Sequence, residues 1–339
     1  TLLGQRHDCR VYGDNVRMDG IQPIDLETLR DWLDDPGNAV LYHHSIQWEN
    51  GEEILNRARA RIIFRYHNII PPDFFHPYDA GFSAACRRGR QQTERFTHRH
   101  PHALWLADSH FNLSDAGREP GPRAAVVPPF NNIDRWGRIQ PREEILKGLA
   151  ESDSVNILFV GRVVPNKGYR HLLDVVADYV RHYGGKIRLH LAGKRLDHFR
   201  AFHGELEAHA AQLGIAPQIH WMGEVDDATL LSYYLGCDIY LSLSLHEGFG
   251  LPLVEAQSLH LPVIAKDAAA VGETLGPGQL LLGHETQDYS AAIHVLAQRG
   301  DLAGHLVNRG LANYRRRFTN EIIAQQLTGL LSEYLGEQV

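Results

Sequence analysis

The stretch His246-Glu247-Gly248-Phe249-Gly250-Leu251-Pro252-Leu253-Val254-Glu255 decides how this chain is read. It follows an apolar run that ends near Leu243 and turns through two glycines. Pro252 then stands where a helix can begin, because the N–H that proline lacks has no partner in a first turn anyway. The expectation is a strand, a glycine loop and a helix N-terminus. Such a loop leaves backbone N–H groups beside the positive end of a helix, a place for an anion or for hydroxyl groups. Glu247 falls in the loop and Glu255 in the helix about one turn in, so both carboxylates can face one ligand. On spacing alone, a solvated Glu247 and a helix-capping Glu255 fit equally well.

Working outward, Val160-Gly161-Arg162-Val163-Val164-Pro165-Asn166-Lys167-Gly168 makes a similar strand end. Gly161 permits close backbone approach where open parallel sheets bind ligands, and Arg162 and Lys167 place two cations there. A diphosphate suits that crevice; the alternative is a basic loop paired to surface carboxylates. Short apolar runs at Val155–Val160, Ile187–Ala192, Gln218–Met222, Asp238–Leu243, Pro262–Ala265 and Gln279–Leu282 alternate with amphipathic stretches, the pattern of βαβ units and a parallel sheet. Between two of them, Asp226 or Asp227 can cap a helix over Ala228–Leu235 that stops at Gly236. From Asp301 to Leu335 the pattern is helical.

The first half reads as a second, less regular α/β domain, with strands expected at Cys9–Tyr12, Ala39–Tyr42, Arg61–Tyr66, Ala103–Ala107 and Ala124–Val127. Residues 128–150, with Asn, Gly and Pro and little periodicity, read as the interdomain linker. Two domains also fit the length of 339 residues. Hydrophobic residues at 43% and aromatics at 9% exclude a disordered chain, and a net charge of −7 provides no global attraction for nucleic acid. Three scattered cysteines, Cys9, Cys86 and Cys237, suggest neither a disulfide framework nor a zinc ribbon and fit a reducing cytosol. No apolar run is long enough to span a membrane and no signal pattern opens the chain. His98-Arg99-His100-Pro101-His102 reads as a solvated basic segment, and no Asp-x-Asp or Gly-x-Ser-x-Gly occurs.

Together with Leu191-Ala192-Gly193 and Gly223-Glu224-Val225, these stretches resemble the retaining glycosyltransferases of family four (glycosyltransferases group 1), over essentially all of residues 155–335. The resemblance implies the α/β GT-B fold, two Rossmann-like domains facing across a cleft. It implies an acceptor-side domain over residues 1–140, a nucleotide-sugar-binding domain over 141–318, and a closing helix over 319–339 that returns to the first domain. By motif, Gly161, Arg162 and Lys167 would hold the donor's diphosphate, Glu255 the ribose and Glu247 the hydroxyls of the transferred sugar. The amides of Gly248, Phe249, Gly250 and Leu251 would assist, with the base near Val225. The family's usual front-face substitution makes Arg162, Lys167 and Glu247 catalytic, with no metal and no cofactor beyond the nucleotide sugar. UDP and GDP stay open: Asp226-Asp227 would suit guanine but would equally cap a helix.

Tyr42-His43-His44-Ser45 and Tyr66-His67-Asn68-Ile69-Ile70-Pro71-Pro72 resemble the bacterial polysaccharide, or O-antigen, branch. By motif His67 lies near the donor sugar and has a catalytic role, and His44, Ser45 and Asn68 lie on the acceptor side. The expected activity is hexosyl transfer from a UDP- or GDP-sugar to a glycan or lipid-linked acceptor, in the cytoplasm; the alternatives are a sugar-nucleotide epimerase, a glycogen-type synthase or a silent nucleotide-sugar-binding subunit. Leu2-Leu3-Gly4-Gln5-Arg6-His7 resembles the end of the helix after the family's first glycine turn, so about 25 residues of an opening βαβ unit are expected to be missing. Finally, Cys86–His102 carries Arg87, Arg88, Arg90, Arg95 and Arg99 against Glu94 alone. On a helix over Ala80–Thr97, these would form a cationic face for peripheral contact with anionic lipid at the inner membrane face.

Overall fold

A computed structural model describes residues 3–5, 7–13 and 20–336 and divides the chain into two compact units. The first comprises Thr1–Ile69, Ala85–Pro128 and Glu321–Val339, and the second Ile70–Ala84 and Pro129–Asn320. Residues Leu2 and Arg6 of the opening motif lie outside the described residues.

The first unit holds helix α1 (Leu26–Asp34), strand β1 (Ala39–His44), α2 (Gly51–Arg57), β2 (Arg61–Tyr66), most of α3 (Ala80–Arg99), β3 (Leu104–Ala107), α4 (His110–Asp115) and β4 (Ala124–Val126). Its four strands lie in the order β1-β2-β3-β4, every pairing parallel. Parallel neighbours need a crossover between them, and the helices supply it. Cys9–Tyr12 is not a strand. Residues 8–10 are exposed, β1 pairs only with β2 among the described residues, and the segment is held by a bond from the Ile24 N–H to the Val11 carbonyl at 2.8 Å and by side-chain contacts of Arg10 with Trp32 and Tyr12 with Trp48, not by strand pairing.

The second unit holds α5 (Ile133–Trp136), α6 (Glu143–Ala150), β5 (Val155–Val160), α7 (Tyr169–Tyr183), β6 (Ile187–Ala192), α8 (Arg200–Gln212), β7 (Ile219–Gly223) and α9 (Asp227–Gly236). It continues with β8 (Ile239–Ser242), α10 (Leu251–Ser258), β9 (Val263–Lys266), α11 (Val271–Leu275), β10 (Leu280–Leu282), α12 (Thr286–Gln298) and α13 (Gly300–Arg317). Its six strands run parallel in the order β10-β9-β8-β5-β6-β7. The chain therefore starts in the middle, winds outward through β6 and β7, and returns beside β5 with β8. The neighbouring ends of β5 and β8 are the topological switch point, where the following loops part in opposite directions and leave a crevice.

The segment read as a linker is ordered as α5 and α6, whose Trp136 and Leu149 are buried in the second unit's core with Leu158, Tyr234 and Tyr240. Gly236 is the last residue of α9, so the helix stops there as expected; a Cβ on it would stand 2.7 Å from Leu149 Cδ1, so α6 packs where a side chain would be. The helix α14 (Asn320–Leu335) places Ile323, Leu327 and Leu331 in the first unit's core with Ile63, Leu104 and Leu106. No helix of the described residues is long and apolar enough to cross a membrane.

Candidate functional site

At the switch point of the second unit the loops after β5 and β8 are joined by side chains. Lys167 Nζ donates to Glu247 Oε1 at 2.6 Å, with 17% and 13% of the two side chains exposed. Asn166, buried beside Lys167, donates from Nδ2 to the His246 carbonyl at 3.1 Å, and its own carbonyl accepts the Leu245 N–H at 2.8 Å. The backbones are equally close. Gly168 takes a left-handed conformation (φ +70°), and a Cβ on it would lie 1.9 Å from the Leu243 carbonyl oxygen. A Cβ on Gly193, after β6, would lie 1.8 Å from the Gly161 oxygen. Only glycine satisfies both positions.

The remaining predicted donor residues fall around this crevice. Gly161 directly follows β5, its carbonyl accepting the Tyr169 hydroxyl at 2.6 Å. Arg162 is exposed and in no ion pair among the described residues, so its guanidinium is available to an anion. Gly248 is half-buried in the loop, and Gly250 precedes α10 in a left-handed conformation with Leu251 and Pro252 opening the helix. The Phe249 ring is not at the crevice surface; it packs edge-on against Phe318, 5.4 Å between centroids, and its carbonyl accepts the Thr274 hydroxyl at 2.7 Å. Val225 is half-buried in the turn after β7. Asp226 caps α9, accepting the Thr229 N–H at 2.8 Å, and pairs with Arg142 at 2.5 Å. Those bonds hold its carboxyl down at about 2.

Glu255 is set apart from Glu247. It sits in α10 and accepts the hydroxyl of Tyr234, from α9, at 2.7 Å. Burial pushes its carboxyl up to about 7, with the Tyr234 bond opposing that rise and Asp227 adding to it.

The strand ends of the first unit present a different cluster. Arg65 and Asp108 form a buried ion pair at 2.6 Å, and the other Asp108 oxygen meets His67 Nδ1 at 2.9 Å. His67 Nε2 meets His43 Nδ1 at 2.8 Å, and the two rings stack. His67 keeps 30% of its side chain exposed and so remains accessible. The acceptor-side histidine of the sequence reading does not. His44 is wholly buried, its nitrogens engaged by Thr93 Oγ1 at 2.8 Å and the Tyr42 hydroxyl at 3.2 Å, and burial pushes it down to about 4. A strand alternates its faces, so of the two adjacent histidines one must turn in, and His43 is the one at the surface. Ser45 is exposed. Asn68, left-handed at φ +69°, is buried with its amide on Asp115, which also accepts Tyr66 and Arg90, so its side chain braces the loop. Two arginines of the basic helix α3 are likewise taken, Arg90 by Asp115 and Arg95 by Glu52, while Arg88 reaches Gln47.

Residues 141–310, half of the chain, match the family described as glycosyl transferases group 1. The chain belongs to that family. Among curated relatives it is similar to the D-inositol 3-phosphate glycosyltransferase of Geodermatophilus obscurus, 30% identical over 60% of this chain and 47% of that one. It is 34% identical to an uncharacterized 41.2 kDa protein in the cps region of Klebsiella pneumoniae, over 51% of this chain and 45% of that one. The chain thus spans about half the length of the curated relatives it matches. Among solved structures it resembles Anabaena HepE, described in complex with UDP and glucose, with a TM-score of 0.68 at 20% identity over 83% of this chain and 74% of that one. That likeness is one of fold: two parallel-sheet α/β units of the GT-B class.

Sequence reading of this group 1 member missed Asn166, Tyr234, His43, Arg65 and Asp108. Two signals were present. Asp108 directly follows β3, the same strand-end position that selected His67 after β2. Tyr234 is one of two adjacent tyrosines on the buried side of α9, and a buried hydroxyl requires a partner.

Proposed function

We propose that this chain is a retaining, metal-independent glycosyltransferase of family four that moves a sugar from a UDP- or GDP-sugar to a glycan or lipid-linked acceptor in cell-surface polysaccharide assembly. The observation that carries the reading is the Lys167–Glu247 pair at the switch point, inside the part of the chain that matches the family. The complex of the HepE neighbour with UDP and glucose supports the donor class, and the cps-region relative supports the polysaccharide role.

In this reading Arg162 and Lys167 act on the diphosphate. Cleavage of the bond from the anomeric carbon to the nucleotide builds negative charge on the leaving phosphate, and fixed cations lower the barrier where that charge develops. Lys167, already neutralising Glu247, then bridges phosphate and carboxylate, and Glu247 is held at a set angle to accept hydroxyls of the transferred sugar. Glu255 accepts the ribose hydroxyls, and His67 contacts the donor sugar. The transfer takes place in the cytoplasm; Arg87 and Arg99 of α3 carry any peripheral contact with anionic lipid.

Product formation from labelled UDP- and GDP-sugars tests the reading, with inositol phosphate and a lipid diphosphate offered as separate acceptors. Transfer with retained anomeric configuration that persists in chelator supports it; transfer lost in chelator and restored by magnesium or manganese refutes the metal-free mechanism. Inositol phosphate as the sole acceptor would replace the polysaccharide role with the one named for the Geodermatophilus relative. Glu247→Ala should reduce turnover far more than nucleotide diphosphate affinity. No sedimentation with anionic liposomes at low salt argues against the lipid contact, and sedimentation that resists salt argues against its being carried by Arg87 and Arg99.

A further inference from the structure

The two carboxylates of the loop and helix after β8 have opposite surroundings. Glu247 meets a cation. Glu255 forms no ion pair among the described residues, and its Oε2 accepts a phenol instead. That phenol is fixed: Tyr234 is 1% exposed, its ring stacked on Tyr240 at 6.1 Å and tilted against Trp136 at 5.6 Å. A tyrosine hydroxyl has one hydrogen to donate, and here it is directed at one oxygen of Glu255, which leaves the other for a ligand. The other ionisable groups facing Glu255 are Asp227 of α9, itself paired with Arg135 of α5 at 3.1 Å, and Tyr240 of β8.

We propose that Tyr234, through this one hydrogen bond, holds Glu255 in the charged form that captures the nucleotide's ribose, so that capture weakens on acidification. The proposal rests on the assignment of Glu255 to the ribose. A ribose presents two hydroxyl donors; a carboxylate accepts both, while a protonated carboxyl must itself donate and loses one of them. With Glu255 held up near 7, its ionised fraction climbs as pH rises through neutrality and falls on acidification, and affinity follows. The hydroxyl of Tyr234 favours the charged form, so removing it moves the midpoint further up.

The test is calorimetric titration of UDP and of GDP into wild type, Tyr234→Phe and Glu255→Gln between about pH 5.5 and 8.5, spanning the Glu255 midpoint. The nucleotide's own phosphate titration is common to all three proteins and cancels in the comparison. The expected result is a wild-type affinity that falls below neutrality relative to Glu255→Gln, with a Tyr234→Phe midpoint about one unit higher and hence about fivefold weaker binding at neutral pH, approaching about tenfold well below it. Coincident midpoints for wild type and Tyr234→Phe, with Glu255→Gln weakened, overturn the proposal and leave the ribose assignment standing. Glu255→Gln binding as tightly as wild type at every pH overturns the ribose assignment itself. Should Tyr234→Phe not fold, binding heats in buffers of unlike ionisation enthalpy decide: below neutrality wild type should release more protons on binding than Glu255→Gln, and equal release overturns the proposal.

Discussion

Both units end their parallel strands in loops that carry polar residues, yet the two sets of loops are built by opposite means. In the second unit the backbone makes the space: Gly168 and Gly193 let neighbouring loops touch main chain to main chain, and the side chains then pair across the gap, Lys167 with Glu247. In the first unit no glycine stands at the ends of β1, β2 or β3, and the side chains fill the strand ends themselves, Arg65 with Asp108, Asp108 with His67, His67 with His43. A loop built on glycine offers amides and half-exposed charges to a ligand. A strand end built on side chains satisfies itself first and exposes only its outermost member.

The difference can be broken by substitution. The largest effect is expected at Asp108→Ala, which leaves Arg65 buried without its partner and should cost about 3–5 kcal/mol of stability, read by denaturant unfolding. An unfolding midpoint near wild type would show that the first unit's cluster is not a packed element. Next, Lys167→Ala should lower turnover by about 100- to 1,000-fold, roughly 3–4 kcal/mol of barrier, while changing stability by much less. Were stability to fall and turnover to survive, the two clusters would have exchanged roles.

Acid sharpens the same contrast. His44 is held near 4 in the folded chain and has its ordinary value of 6.5 when unfolded, so the unfolded chain binds more protons between these values. Its stabilising contribution is therefore complete above 6.5 and lost as pH falls toward 4, a change of about 3 kcal/mol for a fully buried ring. Unfolding of His44→Gln should show a shallower loss over that interval; an unchanged slope would place the acid sensitivity elsewhere. The smallest effect is a matched pair of alanines. Gly168→Ala, strained at φ +70° and blocked by the Leu243 carbonyl, should cost about 2 kcal/mol or more, and Ser45→Ala, exposed after β1, within about 0.5. Equal costs would erase the distinction between the two kinds of strand end.

The same distinction explains what the sequence made legible. Strands β2, β5 and β6 could be read to the residue: β2 and β5 are near-continuous apolar runs of strands buried on both faces, and β6 alternates apolar residues with Arg188 and His190. The glycine loops could be read too, since their spacing carries their geometry. Cys9–Tyr12 has the same local look as a strand, but only pairing makes one, and pairing is not local. His43 and His44 are adjacent and chemically identical, so which of them faces inward depends on the register of β1 against β2 and on Thr93 arriving from α3, 49 residues beyond His44. Tyr234 and Glu255 belong to different helices and meet only because β8 sets α9 and α10 side by side. Partnerships between elements, more than the elements, were what the chain withheld.

Neither unit is a single run of chain, and that has a consequence for synthesis. Residues 70–84 leave the first unit's sequence to lodge in the second, where Phe75 stacks on Phe199 and Phe82 meets the same ring edge-on. The first unit, in turn, borrows α14 from beyond residue 320 to cover Ile63, Leu104 and Leu106. As the ribosome delivers the chain from the amino end, the unit that starts first must wait with that apolar face uncovered until every strand of the other has emerged. The half begun earliest is finished last.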